Sequence, residues 1–182
     1  MLIRFSLVAL TISLPYLSQA AQDSLCKAEE QTAFSCMAGE KIISVCSSAD
    51  ATPSTGSLIY RFGLPGKAPE MTYPVSNIRP GAAFQFGMDR VLRGGTEQLS
   101  FKSGRYTYTV FSDHYGPQGE DTPLQRSGVV IEKDGKRLST KLCTAPVGSI
   151  DMALYIGTNP QGGTFPWHTV GLPDKPPRED IP

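Results

Sequence analysis

The fold is indicated most clearly by residues 98–111, Gln98-Leu99-Ser100-Phe101-Lys102-Ser103-Gly104-Arg105-Tyr106-Thr107-Tyr108-Thr109-Val110-Phe111. Apolar and polar side chains alternate on both sides of Ser103-Gly104, which is typical of two strands that each bury one face. A two-residue turn at Ser103-Gly104 would set Lys102 opposite Arg105 and Phe101 opposite Tyr106. One face of this predicted hairpin then carries an apolar stripe made of Leu99, Phe101, Tyr106, Tyr108 and Val110.

Further strands are predicted on both sides of this hairpin, with turn residues between them. They cover Thr32–Cys36, Ile42–Cys46, Leu58–Phe62, Glu70–Tyr73, Ala83–Phe86, Val129–Ile131 and Leu138–Leu142. The last two flank Asp134-Gly135, a strong hairpin signal that sets Ile131 opposite Leu138 and Val129 opposite Thr140. About eight short strands at this spacing predict a mainly β fold, either an antiparallel sandwich or a partly closed barrel.

The chain is expected to form one domain between two segments of different character. A single β domain is predicted over residues 21–157, ending in one short helix that begins at Ser149 and runs through Ile156. Residues 158–182 are rich in proline and glycine and lack periodicity, so we expect an irregular tail.

The first 20 residues have the composition of a secretory signal. Arg4 precedes an apolar run, and Ser18 and Ala20 are small residues placed for cleavage before Ala21. The apolar run contains Pro15 and is shorter than the about 20 residues that a membrane-spanning helix needs. We therefore expect a periplasmic or secreted protein without a membrane span.

The net charge of the mature chain limits the classes of partner that we expect. The chain has 17 Lys and Arg residues and 17 Asp and Glu residues, and loss of Arg4 with the signal peptide leaves 16 cations. A nearly neutral mature chain is not expected to bind nucleic acid or an anionic membrane as its main partner.

The four cysteines are best explained as two disulfides, because an even count is typical of exported proteins. Zinc is the alternative, but the chain has no C-x-x-C pair and only two histidines. In the Thr32–Cys46 hairpin Cys36 would lie opposite Ile43, so Cys46 would be about 10 Å away, too far for a disulfide. Of the two connectivities that remain we favour Cys26–Cys46 with Cys36–Cys143, which ties the first strand to the last.

Nothing in the sequence requires catalysis, a metal or a cofactor. There is no G-x-S-x-G motif, and the histidines are His114 and His168. Asp113, His114, Glu120 and Asp121 lie on one predicted loop and could bind a metal together, but we favour a solvated polar turn. A small hydrolase is the least favoured function, because no nucleophile and base stand out as a pair.

Residues 103–106, Ser103-Gly104-Arg105-Tyr106, form a Ser-Gly-x-Tyr motif at the predicted hairpin tip. Here the chain resembles the bacterial periplasmic lysozyme inhibitors, particularly the type that acts on invertebrate-type lysozymes. The resemblance implies an exported β-sandwich whose Ser-Gly-x-Tyr loop enters the lysozyme cleft and contacts its catalytic carboxylates. It makes Ser103 and Tyr106 the inhibitory residues, with Gly104 permitting a tight turn. Arg105 could attract an acidic cleft and speed encounter.

Two other interpretations of this region remain open. Ser-Gly can be an ordinary hairpin turn, with Tyr106 as a packing residue of the apolar stripe. Alternatively, the protein could be a binding module for a cell-envelope glycan or protein that uses its aromatic side chains as stacking platforms and inhibits nothing.

Overall fold

The computed structural model describes residues 24–91, 94–116 and 124–144. They form two antiparallel sheets that do not close into a barrel, so the predicted mainly β, sandwich-like fold is confirmed. One sheet has the order β1 (Gln31–Ala38), β2 (Lys41–Ser47), β3 (Leu58–Gly63), β4 (Met71–Tyr73). The other has the order β5 (Gln85–Val91), β6 (Gly94–Ser103), β7 (Tyr106–Tyr115), β8 (Leu124–Lys133), β9 (Lys136–Leu142). A single helical turn, α1 (Pro80–Ala83), connects the sheets.

Several sequence-based expectations lie outside the described residues. These are the signal peptide at residues 1–20, the helix at Ser149–Ile156 and the tail at residues 158–182. Within the described part of the chain, no helix is long and apolar enough to cross a membrane.

Aromatic side chains from both sheets meet in the core around Phe101. Its ring stacks on Tyr73 at 4.3 Å and on Tyr108 at 5.0 Å between centroids, and Tyr60 lies 4.9 Å away at an angle. Aromatic pairs of this kind contribute about 0.5–1.5 kcal/mol beyond the burial of their area. The β6–β7 hairpin is therefore anchored deep in the sandwich by a residue close to its tip.

The turn of this hairpin differs from the predicted one. Ser103 pairs with Tyr106 and Phe101 with Tyr108, so the two turn residues are Gly104 and Arg105 instead of Ser103 and Gly104. Gly104 has φ +60° at the first turn position, where the hairpin geometry favours glycine. The observed pairing is shifted by two residues from the predicted pairing, and a shift of two leaves the predicted apolar stripe on one face.

The β8–β9 hairpin has the predicted turn but a different register beyond it. A register shift after Ile131 places this residue opposite Ser139, so the predicted pairings of Ile131 with Leu138 and of Val129 with Thr140 are wrong. The shift inverts the faces of β9, and Leu138 is 58% exposed. A bulge of this kind has no clear signal in the local sequence.

Other element boundaries also differ from the prediction. The strand predicted at Ala83–Phe86 is α1 followed by β5, because Pro80 stands at the first helical position, where its missing N–H costs nothing. The loop predicted around His114 belongs to β7, which continues to Tyr115.

Two disulfides hold the fold together, with the connectivity favoured from the sequence. Cys26–Cys46 attaches the segment before β1 to β2, and Cys36–Cys143 joins β1 to the residue after β9. Cys36 lies opposite Ile43, as predicted. A hydrogen bond of 2.7 Å from the Thr144 N–H to the Met37 carbonyl reinforces the link between the sheets.

The segment before β1 covers the outer face of the four-stranded sheet. The Leu25 N–H donates to Ser44 Oγ at 2.9 Å, and Arg61 Nη1 donates to the Leu25 carbonyl at 3.3 Å. Arg61, which is only 5% exposed, also pairs with Glu30. Hydrogen bonds from Arg61 lower the pKa of the Glu30 carboxyl, although its burial acts in the opposite direction.

Candidate binding site at two hairpin tips

The β6–β7 hairpin ends in a two-residue turn at one end of the five-stranded sheet. Gly104 and Arg105 are exposed, and Ser103 and Tyr106 are half-buried beside them. A Cβ atom at Gly104 would meet no other atom within 4 Å, so glycine is needed there for its backbone conformation and not for space. The turn thus presents backbone and side-chain donors to a partner.

Tyr106 lies at the end of the apolar stripe, where it is half-buried and is not part of the core cluster around Phe101. Phe101 faces Tyr108, and burial, with a smaller effect from Tyr106, raises the pKa of the Tyr108 hydroxyl. The Tyr106 ring lies 6.5 Å from that of Tyr108 and 5.4 Å from Lys133 Nζ. Among the residues that the structure describes, none forms a hydrogen bond with the Ser103 or Tyr106 hydroxyl. Both hydroxyls are therefore available as donors.

A second tip, the Asp134-Gly135 turn between β8 and β9, lies directly beside the first. Arg105 Nε donates to Asp134 Oδ1 at 3.0 Å, and Arg105 Nη2 donates to Asp134 Oδ2. The Asp134 N–H donates to the Arg105 carbonyl at 3.1 Å. Asp134 and Gly135 both have positive φ, of 51° and 75°, as a tight hairpin turn of this type requires. The two turns consequently form one continuous structure.

The residues contributed by the second tip were not identified from the sequence. Lys133 pairs with Tyr106 across β7 and β8, and Asp134 binds Arg105, but these residues are 27 to 29 positions apart in the chain. The one usable signal was the order of the strands, because successive hairpins in a meander place alternate turns at the same end of a sheet.

Of the four residues named for a possible metal site, the structure describes Asp113 and His114, and these two do not form a shared site. Thr96 Oγ1 donates to Asp113 at 2.8 Å, and Arg126 donates through Nε at 2.9 Å and Nη2 at 2.6 Å. His114 is the next residue on the strand and points to the opposite face, so the two side chains do not converge on one ion. Glu120 and Asp121 lie outside the described residues. Asp113, 1% exposed, has a structural role within the sheet.

A second group of residues has atoms of the kind that bind metals, but these atoms already form other bonds. The Sγ atoms of Cys26 and Cys46 and a carboxylate oxygen of Glu30 lie within 4.8 Å of one another. The two sulfurs are bonded to each other, and the carboxylate binds Arg61. A disulfide offers no thiolate to a metal, so this group stabilises the fold instead.

An open groove of about 630 Å³ lies where β3 begins, and no residue of either tip lines it. It is lined by residues 48, 50, 56–59 and 74–78, and Asp50 is the charged residue among them. None of these lining residues is aromatic. The groove therefore provides no stacking platform of the kind that a glycan-binding module was expected to have.

Comparisons of the chain with protein families, with curated proteins and with solved structures gave no match.

Proposed function

We propose that this chain is an exported, non-catalytic binding protein that inhibits a lysozyme by inserting the Ser103–Tyr106 tip into the active-site cleft. The observation that supports it best is the state of that tip: Gly104 and Arg105 are exposed at the end of a sheet, between two hydroxyls without hydrogen-bond partners in the described chain. Two disulfides are consistent with an oxidising location, to which a signal peptide at residues 1–20 would direct the chain.

The donors at the tip suit the chemistry of a lysozyme cleft. Such a cleft contains two carboxyl groups, one that acts as a general acid and one that is ionised. The Ser103 and Tyr106 hydroxyls and the Gly104 N–H are compact donors that can reach both groups without burying an unpaired charge. A hydrogen bond to a charged group contributes about 1.5–3 kcal/mol, so loss of two of them would weaken the complex strongly.

The pairing of Arg105 bears on the role that it can have at the tip. Its guanidinium is paired with Asp134, so direct binding to a cleft carboxylate would first require that pair to break. In this proposal Arg105 positions the tip, and the hydroxyls on either side make the contacts.

The test is a cell-wall lysis assay with the mature chain against chicken-type, goose-type and invertebrate-type lysozymes. We expect inhibition of at least one class at micromolar concentration or below. The double variant S103A/Y106F removes both hydroxyls and keeps the Tyr106 ring beside Lys133. It should weaken inhibition at least about tenfold, the loss expected for hydrogen bonds to charged groups.

A matched control removes two hydroxyls elsewhere. Ser54 and Ser76 are exposed and lie outside both hairpin tips, so S54A/S76A should inhibit as the unmodified chain does. Absence of inhibition of all three lysozyme classes would contradict the proposal. Equal inhibition by S103A/Y106F and the unmodified chain would show that another surface is responsible.

A further inference from the structure

We propose that the two hairpin tips act as one basic surface, and that the partner site they enter is an acidic cleft on a protein. Lys133 and Lys136 would contact partner carboxylates beyond those reached by Ser103 and Tyr106. The tip surface is defined as residues 102–107 and 132–137. This inference rests on the proposed function, which states that the Ser103–Tyr106 tip enters a cleft. It adds that the cleft is acidic and that it extends as far as the second tip.

Strand register places the second tip on the same face as the Ser-Gly-x-Tyr residues. Ser103 pairs with Tyr106, Tyr106 with Lys133, and Lys133 with Lys136. Directly opposed residues point to the same face of a sheet, and neighbouring strands lie about 4.8 Å apart. The four residues therefore form one row about 14 Å long, and a partner that touches Ser103 and Tyr106 also meets the two lysines.

The contacts between the tips keep this row in one arrangement. Arg105 binds Asp134 through Nε and Nη2, and a backbone hydrogen bond lies beside them. The two side chains are 71% and 49% exposed, and exposed pairs of this kind contribute little to stability. The effect of the pair is positional: it fixes the β8–β9 turn beside the β6–β7 turn.

Positive charge is concentrated on the tip surface. It contains five cations and two carboxylates, a net charge of +3 in a chain whose total is zero: Lys102, Arg105, Lys133, Lys136, Arg137, Glu132 and Asp134. The rest of the chain consequently carries −3. Arg105 is paired, but in the described part of the chain no carboxylate lies within 4 Å of the other four cations. Such an asymmetry steers an acidic partner toward one end of the molecule.

The shape of the surface favours a protein cleft over a polyanionic chain. Two adjacent two-residue turns at the end of a sheet form a projection, and the exposed Gly104 and Gly135 make its outermost parts narrow. A projection fits a concave site, whereas a linear anionic glycan is better bound along a groove. We therefore infer an acidic cleft on a protein as the occupant.

The test reverses two charges of the β8–β9 tip and leaves the Ser103–Tyr106 motif and the Arg105–Asp134 pair intact. K136E/R137E should reduce the association rate with an inhibited lysozyme about tenfold at low salt, and the difference should shrink at about 0.3 M salt, where charges are screened. The control K67E/R79E makes the same change in net charge on the other half of the sandwich, at two exposed positions. An unchanged rate for K136E/R137E, or an equal effect of the control, would overturn the inference.

A second measurement separates this inference from the proposed function. If no lysozyme is inhibited, poly-L-glutamate serves as a probe of protein carboxylates in an NMR titration of the mature chain. Amide shifts confined to residues 102–107 and 132–137, and lost in K136E/R137E, would support the acidic partner although the lysozyme proposal has failed. No shifts at these residues, or a stronger response to heparin than to poly-L-glutamate, would overturn it.

Discussion

Glu30 and Arg61 form a bidentate ion pair on the outer face of the four-stranded sheet. Arg61 Nη1 lies 2.5 Å from Glu30 Oε2, and Nη2 lies 2.8 Å from Oε1. The side chains are only 10% and 6% exposed, respectively. The pair sits between the segment before β1 and strand β3, so it joins two parts of the chain that are 31 residues apart.

Removal of the charge on Glu30 is therefore expected to destabilise the fold strongly. Glu30→Gln leaves the buried Arg61 guanidinium without a counter-charge, a change that typically costs about 3–5 kcal/mol. Urea unfolding at neutral pH measures the loss. Glu29→Gln is the matched control, because Glu29 is exposed and adjacent, and it should change stability by less than about 0.5 kcal/mol. Equal effects of the two variants would show that the pair has no special role.

The same pair predicts a specific acid sensitivity. The pKa of Glu30 is lowered below its ordinary value of 4.5 in the folded protein, chiefly by the hydrogen bonds from Arg61. Stabilisation from a lowered carboxyl pKa is fully present above the unfolded pKa and is lost as pH falls through the folded pKa. The stability difference between the unmodified chain and Glu30→Gln should thus be constant above about pH 5 and shrink below it. Urea midpoints from pH 7 to pH 3 test this, and a difference that already changes near pH 6 would contradict it.

The two disulfides are expected to differ in their contribution to stability. Cys26–Cys46 closes a separation of 20 residues and Cys36–Cys143 one of 107 residues. On the chain-entropy account, loss of the first costs about 3 kcal/mol and loss of the second about 5 kcal/mol. Paired serine variants of each disulfide, compared by urea unfolding under oxidising conditions, should show this order. The reverse order would mean that the local contacts of the segment before β1 outweigh chain entropy.

Substitution of Gly104 can separate the conformational cost of the β6–β7 turn from the contribution of that turn to inhibition. Gly104 and Gly39 both have positive φ, +60° and +66°, and neither has an atom within 4 Å of a Cβ position. Alanine at either site should cost about 1–2 kcal/mol through the backbone alone. We expect G104A and G39A to be destabilised equally in thermal unfolding, and only G104A to inhibit lysozyme less well. Equal inhibition by both variants would exclude a role for the β6–β7 turn.

The faces of the strands could be predicted from the sequence, but their exact register could not. The alternation of apolar and polar residues places Leu99, Phe101 and Val110 on the buried face. A shift of two residues in the strand pairing leaves them on that face. The turn could not be located between Ser103-Gly104 and Gly104-Arg105, because a glycine can occupy either turn position. The shift after Ile131 could not be predicted, because a bulge has no clear signal in the local sequence.

The candidate site was only half predictable for a related reason. Ser103 and Tyr106 are neighbours in the chain, so a four-residue motif identifies them together. Lys133 and Asp134 reach the same place through the pairing of β7 with β8, a long-range contact without a local signature. The predicted loop at Asp113 failed for the opposite reason: polar residues suggested a turn, whereas hydrogen bonds across the sheet keep them in a strand.

The position of Cys143 so late in the chain has a consequence for biosynthesis. In a chain delivered N-terminus first to an oxidising compartment, Cys26, Cys36 and Cys46 all arrive before the partner of Cys36. A fast oxidant can then join Cys36 to Cys26 before Cys46 arrives, and thiol–disulfide exchange is needed to release it. Correct assembly in that case depends on oxidation slower than delivery, or on a disulfide isomerase that repairs the early error.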